Sequence, residues 1–285
     1  MSIHFRPALL AAAIGVSALL APLASRAGTV GYLTRVCSGQ SNGSSAIVAA
    51  GHTPVPLANL DAASLAGLDG LLFINCTAEP YAGNAAIDAA VANGMVLVMH
   101  DKSIGTGMPV SGTRIPGGAA LQLTSLTNTN VDVPATSPAA TGPGGPVGNT
   151  SMDGTFYFTH RGYAALASLP PESVVVATTP DPAQVVTFAY PHGRGRVVYG
   201  SVPIDVFMSG GIGFNDTPAP GVRAFGANLI AWAMQLFTTC AAEGYTGAKL
   251  TMCRSVCESG ATGTTLAGRI RLYTAIYRET PPCAR

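Results

Sequence analysis

Charge is scarce in this chain. Asp, Glu, Lys and Arg make up only 10% of its 285 residues, and the formal net charge is +1. That balance supplies no basic stripe for a nucleic-acid backbone, so a nucleic-acid partner is not expected. Aromatics are few, at 7%, with Trp232 the single tryptophan. There is no internal repeat and no CxxC pair. No Lys-Ser/Thr phosphate motif accompanies the glycine-rich stretches Gly142–Gly148 and Gly210–Gly213, which read as plain loops. Nothing calls for a cofactor. Apolar residues nevertheless reach 48%, enough to bury a core, which excludes a chain disordered throughout. The 34 glycines and 21 prolines predict many loops.

The first segment is built as an export signal. Met1–Arg6 is a short basic start, and Ala8–Ala21 is unbroken apolar chain. Pro22 follows, and Ser25 and Ala27 place small residues at positions −3 and −1 of a cleavage site. Residues 1–27 are therefore expected to be a signal peptide cut after Ala27. The run is short for a membrane anchor, and no later stretch spans a bilayer. The mature protein is expected to be secreted or periplasmic, with no membrane span.

Charge then divides the remainder. Residues 28–239 hold 7 basic and 11 acidic residues, net −4, whereas residues 240–285 hold 6 and 3, net +3. The tail reads as a separate unit that charge could help dock on the body. It also holds four of the six cysteines: Cys240, Cys253, Cys257 and Cys283. An even number of cysteines in an oxidising compartment reads as disulfides. Cys253 and Cys257 share one face of a helix-like stretch, so each would bridge outward. The pairs 240–253 and 257–283 are favoured over the other order. A zinc site is the alternative, without a CxxC or a tail histidine to support it. Cys37 and Cys76 each end a strand-like run, where adjacent parallel strands would let them bridge; a reactive Cys37 thiol is the other reading.

Along the body, strands are expected at Thr29–Val36, Thr53–Leu57, Asp69–Asn75 and Met95–His100. Helical segments at Ser45–Ala50, Asp61–Ala66 and Asn84–Asn93 alternate with them, the last stopped by Gly94. The runs DGLLFIN and MVLVMH are apolar on both faces, as in a parallel sheet covered by helices. From residue 101 to 155 the pattern dissolves into a long loop, with one strand-like piece at Ala120–Leu126. Within it Pro134–Asn149 is uncharged, and its route is expected to cross the carboxyl edge of the sheet as coil. Strands return at Ser173–Thr178, Gln184–Tyr190 and Arg196–Tyr199, the last two a hairpin, before a long helix at Arg223–Leu236.

Leu68–Asn75 (LDGLLFIN), the alanine-rich helix ending at Gly94, the strand closing on His100 and the hairpin VVTFAYPHGRGRVVY together resemble the class I glutamine amidotransferase-like fold, in its ThuA-like branch. The resemblance covers about residues 28–237 without the long loop. It implies a flavodoxin-like parallel sheet with flanking helices, to which this chain adds a disulfide-stapled helical tail at 240–285. It does not carry catalysis across. That family places a cysteine nucleophile on the turn that reads Met99–Gly105 here, and a His and Glu where this chain reads Val202–Asp205. The thiolate and the family's base are missing, which points away from an enzyme.

Other candidates remain. Ser103 sits in Asp-Lys-Ser-Ile-Gly, half of a nucleophile elbow, and could form a set with His160 and Asp205; ordinary turn bonding is the simpler reading. His100, Asp101 and Asp205 fall at the carboxyl ends of strands, where open parallel sheets bind ligands. They are the expected ligand-binding residues, as against loop caps and a satisfied strand-end histidine. His192, Arg194 and Arg196 read as turn residues. The function expected is an exported, non-catalytic binding or envelope-associated module, its partner a small polar ligand or an envelope component. The alternative is a secreted hydrolase acting on a sugar or ester at the same edge.

Overall fold

A computed structural model gives the fold. It describes residues 27–36, 39–40, 42–75, 81, 83–102, 104, 115–117, 121–128, 130–154, 160–207, 218–235, 240, 245–257 and 263–281. The signal segment up to residue 26, Cys37, Cys76, Cys283 and Ser103 lie outside them.

The chain first alternates strand and helix. These elements are β1 (Thr29–Leu33), the small ribbon β2 (Arg35–Val36) and β3 (Gly39–Gln40), α1 (Gly43–Ala49), β4 (Thr53–Leu57), α2 (Ala62–Leu65), β5 (Gly70–Asn75), α3 (Ala85–Ala92) and β6 (Val96–Asp101). The helix ends follow from local chemistry. Asn84 caps α3 by accepting from the amides of Ala86 and Ile87. Gly94 leaves it at φ +119, a conformation that side chains resist. Asp61 caps α2 through Ser64 N.

After the long excursion come β7 (Leu123–Asn128), β8 (His160–Ala165), β9 (Val174–Thr178), β10 (Gln184–His192), β11 (Gly195–Gly200), α4 (Ile204–Phe207) and α5 (Pro218–Ala233). All strands except β2 and β3 form one sheet of nine. Its order is β4-β1-β5-β6-β11-β10-β8-β7, with β9 also on β10. The first five are parallel and the rest antiparallel. Taken in chain order the parallel strands run 2-1-3-4-5, the flavodoxin-like arrangement. The α/β class and the helical tail are thus as expected; the antiparallel extension carries the predicted hairpin further, to His192 and Gly195 around a tight Gly193–Arg194 turn.

Two cores sandwich the sheet. One packs Val98, Leu72 and Val198 against α1 and α5 through Ile47, Phe225 and Ile230. The other packs Leu97, Met99, Phe73 and Tyr199 against Leu65 of α2 and Ile87 and Val91 of α3. Adjacent residues of one strand therefore serve opposite faces.

The segment Pro134–Asn149 is coil, but it does not run over the carboxyl edge. It is pinned to the face of α5. Asn228 donates to Ala139 O and Gly145 O at 3.0 and 2.8 Å and accepts from Gly144 N at 2.8 Å. Ser137 Oγ reaches Val176 O of β9 at 2.7 Å. Ala139, Ala140 and Val147 are buried in the core. Small side chains let the backbone approach closely enough for one asparagine to satisfy three of its groups.

The tail forms α6 (Gly247–Cys257) and α7 (Gly263–Tyr277) around Cys253, Val256 and Tyr273. Cys240 and Cys253 are disulfide-bonded, with Cα atoms 5.7 Å apart. Cys257 is disulfide-bonded as well, to a cysteine outside the described residues. The zinc alternative fails for that reason: although the three sulfurs lie within 4.8 Å of one another, disulfides consume them. Glu279 gathers Tyr245 OH, Tyr273 OH and Lys249 Nζ at 2.6, 2.9 and 2.8 Å, and those bonds bring its carboxyl down to about 2. Arg254 reaches Glu172 of the body at 3.0 Å.

Candidate functional site

The carboxyl edge of the parallel strands is where β5 ends in Asn75, β6 in His100 and Asp101, and β11 in Gly200 before Ser201. On β6 the alternation that sends Leu97 and Met99 to one core and Val98 to the other continues into His100 and Asp101. These two candidates therefore part company.

Asp101 follows Met99 toward the face of α3. Its Oδ1 accepts from Asn75 Nδ2 at 3.0 Å and its Oδ2 from Tyr199 OH at 2.6 Å. Asn75 in turn accepts from Tyr81 N at 2.8 Å. Each of these side chains is buried. The network closes strand ends together and leaves neither oxygen of Asp101 without a donor. Of the three residues expected to converge, strand parity turns Asp101 to the opposite face from His100, whose partner is Asp205.

His100 follows Val98 to the opposite face. There α4, packed against α5, brings Asp205 to it. His100 Nδ1 lies 2.8 Å from Asp205 Oδ1, and Lys102 Nζ lies 2.9 Å from Asp205 Oδ2. Burial pushes the His100 imidazole below its ordinary value, outweighing the pull of Asp205. It is thus neutral at pH 7. Burial works against ionising Asp205, but its hydrogen bond with His100 and the Lys102 ammonium bring it down to about 2. An ionised carboxylate only accepts, so the imidazole proton sits on Nδ1 and Nε2 carries a lone pair. His100 is 1% exposed, and Nε2 has no hydrogen-bond partner among the described residues.

His160 repeats the pattern. It is fully buried; its Nδ1 donates to Gly162 O at 3.2 Å, and its Nε2 also lacks a partner among the described residues. Burial lowers its pKa too. Of the set Ser103, His160 and Asp205, the described residues show Asp205 bonded to His100 and Lys102 and His160 bonded to Gly162 O. Ser103 lies outside the described residues. Arg196, read from the sequence as a turn residue, is a buried position of β11, where it stacks over Trp232, 4.6 Å from the ring centroid.

Lys102 was legible in the sequence only as a turn residue, and Asn75 and Tyr199 only as strand positions. A Lys two residues after a strand-end His, with an Asp five residues beyond the neighbouring strand's end, is the signal that was available.

A buried neutral imidazole oriented by a carboxylate, with its far nitrogen unbonded among the described residues, can accept a hydrogen bond from a hydroxyl, take up a proton, or ligate a metal. Elsewhere a cleft of about 480 Å³ opens at the amino edge of the sheet. It is lined by alanines of α2 and α3 with Asp69, Arg194 and Met234. It lies at the end of the strands opposite to the one where open parallel sheets bind ligands, and it contains no such oriented acceptor.

No family model matches this chain, and none of the curated proteins does. Among solved structures it is similar to Cytoplasmic Protein STM3548 from Salmonella typhimurium, at 10% identity and TM-score 0.45, over 72% of this chain and 98% of that one. It is similar to a Bacteroides uniformis protein described as ThuA-like, at 12% identity and TM-score 0.43, over 81% and 96%. The exo-β-1,4-mannosidase Op5Man5 from Opitutaceae bacterium strain TAV5 follows at 10% and 0.42, over 73% of this chain and 36% of that one. Likeness at this level carries no argument about activity.

Proposed function

We propose that the protein is an exported α/β binding module of amidotransferase-like architecture. It holds a small, hydroxyl-bearing polar ligand, or the matching part of an envelope component, at the carboxyl edge of its sheet. The observation that carries this is His100 Nε2, a buried acceptor without a partner among the described residues, held in place by Asp205. A buried polar atom of that kind costs folding free energy, on the order of 1–3 kcal/mol, unless something completes it. A ligand hydroxyl would complete it, and the partly exposed Lys102 ammonium, held on the other oxygen of Asp205, would donate to a second oxygen of the same ligand. The Cys240–Cys253 disulfide supports export, and among the described residues no helix is long and apolar enough to cross a membrane.

The same Asp205–His100 pairing favours one second reading, a hydrolase in which Nε2 acts as general base. A thermal-shift panel of sugars, polyols and hydroxy acids on the mature protein tests binding. One class should raise the melting temperature, and His100→Asn, whose amide keeps a donor toward Asp205 while removing the Nε2 acceptor, should abolish the shift. Covalent labelling by a serine-hydrolase probe, lost in Ser103→Ala, would overturn the binding reading in favour of hydrolysis.

A further inference from the structure

Gly28 enters the sheet under unusual local constraint. It is buried, while the preceding Ala27 is exposed. Its carbonyl accepts from Thr53 N at 2.9 Å, which ties it to the start of β4. Its own nitrogen donates to His52 Nδ1 at 3.1 Å. The Asp69 carboxylate lies alongside: Oδ2 accepts from Thr29 N at 2.7 Å and from Thr29 Oγ1 at 2.9 Å. A Cβ added to Gly28 would come within 3.3 Å of that oxygen and 3.1 Å of the Met234 methyl. Asp69 makes no ion pair with any cation among the described residues. An acceptor nitrogen thus meets the backbone nitrogen of Gly28, and an unneutralised carboxylate, bonded to the next residue, lies beside the Gly28 Cα, where the export signal is expected to end.

We propose that hydrolysis of the Ala27–Gly28 bond creates an α-ammonium on Gly28, and that His52 Nδ1 and the Asp69 carboxylate hold this ammonium as the anchor of β1. Water adds across the peptide bond. Its oxygen stays on Ala27, which leaves as a carboxylate, and the nitrogen remains on Gly28 and takes up a proton; no redox partner is involved. The amide in the uncut chain carries one hydrogen, which His52 already takes. The ammonium carries three, and one can stay on His52 while the charge faces Asp69. Burial lowers the His52 pKa, so the imidazole is neutral and its Nδ1 remains a lone pair able to accept.

An order of events follows. A peptidase binds its target extended, yet in the folded protein Gly28 is buried and bonded into the sheet. The cut therefore precedes the pairing of β1 with β4, and folding then sequesters the new terminus.

The proposal rests on the export reading only for the position of the cut, and the two can fail separately. Intact mass and amino-terminal sequencing of the exported chain should report a start at Gly28; another start overturns the cut. The anchor is read from two versions of the mature chain, one starting at Gly28 and one retaining Ala27 and the two residues before it. The Gly28 form should melt higher, by about 2–4 °C for the worth of one such contact in a chain of this size. Asp69→Asn keeps an acceptor for Thr29 and should erase that difference. Equal melting of the two versions, or an equal drop in both on Asp69→Asn, overturns the anchor. Where Asp69→Asn fails to fold, acylation of the Gly28 amine at neutral pH decides. One unit of pKa elevation by Asp69 would slow it about tenfold relative to the unfolded chain. An equal rate overturns the anchor.

Discussion

The two faces of the carboxyl edge are made from neighbouring residues and end in opposite conditions. On the α3 face, Asp101 has both oxygens filled by Asn75 and Tyr199. On the α5 face, His100 is oriented by Asp205 at one nitrogen and has no partner at the other among the described residues. Both faces are buried, so burial alone does not distinguish them. Completion does. A closed polar network rigidifies a core and has nothing left for a ligand, whereas an incomplete one costs stability and persists where something else uses the open atom. The contrast makes separable predictions.

The largest effect is expected on the closed face. Asp101→Ala leaves Tyr199 OH and the Asn75 amide buried without their acceptor. That should cost about 3–5 kcal/mol, as when one member of a buried charged network is removed. Urea denaturation measures it. Any ligand shift that depends on His100 should survive in the folded fraction. A loss under about 1 kcal/mol would mean the network is not what holds these strand ends.

The open face should be seen most clearly in acid. His52, His100 and His160 all have pKa values lowered by burial. In the unfolded chain each imidazole takes up a proton as pH falls through about 6.5, and in the folded protein it resists. The unfolded state therefore binds more protons, and stability falls as pH drops. As pH falls below 6.5 each buried histidine should therefore remove stability, and His100→Asn should reduce the loss. Asp205 runs in a lower window: its carboxyl is depressed from 3.8 to about 2, so its contribution is intact above pH 4 and lost on the way to 2. Denaturation midpoints at pH 7.5, 6.5 and 5.5 test the upper window, and a flat profile would contradict the burial of these rings as neutral species.

Much of this was readable from the residues. DGLLFIN and MVLVMH are apolar on both faces and could only be central parallel strands, and that placed His100, Asp101 and Asp205 at one edge. What was not readable is which face each would take and what would meet it there. A one-residue difference in position sends neighbours to opposite cores, and their partners come from Tyr199 and Asp205, 98 and 105 residues away from Asp101 and His100 respectively. Helix α5 begins at Pro218, five residues before the expected Arg223, because proline and glycine are tolerated in a first turn. The segment Pro134–Asn149, uncharged and expected to cross the carboxyl edge as coil, has only one large apolar side chain, Val147. It is ordered by Asn228, a single polar residue on a helix that looked merely amphipathic.

That clamp gives the next prediction, on the same face as His100. Asn228→Ala removes three hydrogen bonds to the loop, and should cost about 2–3 kcal/mol with partial release of the loop. Limited proteolysis should cut residues 136–149 slowly in the native chain and rapidly in the variant. Rapid cutting in the native chain would show that the pinning is weaker than its geometry.

The smallest effects make the sharpest test, because the two faces should respond oppositely to conservative changes. Tyr199→Phe removes one hydroxyl from Asp101 and leaves the Asn75 bond in place. The ring stays packed beside Phe188, 5.3 Å away, so the expected loss is about 1–2 kcal/mol with ligand binding unchanged. Lys102→Met removes the ammonium from Asp205, while His100 continues to hold the other oxygen. Lys102 is partly exposed, and ion pairs of that kind contribute little, so stability should move by no more than about 1 kcal/mol. Ligand-induced stabilisation, in contrast, should fall sharply, because the donor proposed for the ligand's second oxygen is gone. If Lys102→Met instead destabilises as much as Tyr199→Phe and leaves binding intact, the α5 face is as structural as the α3 face, and the ligand must be sought elsewhere in the molecule.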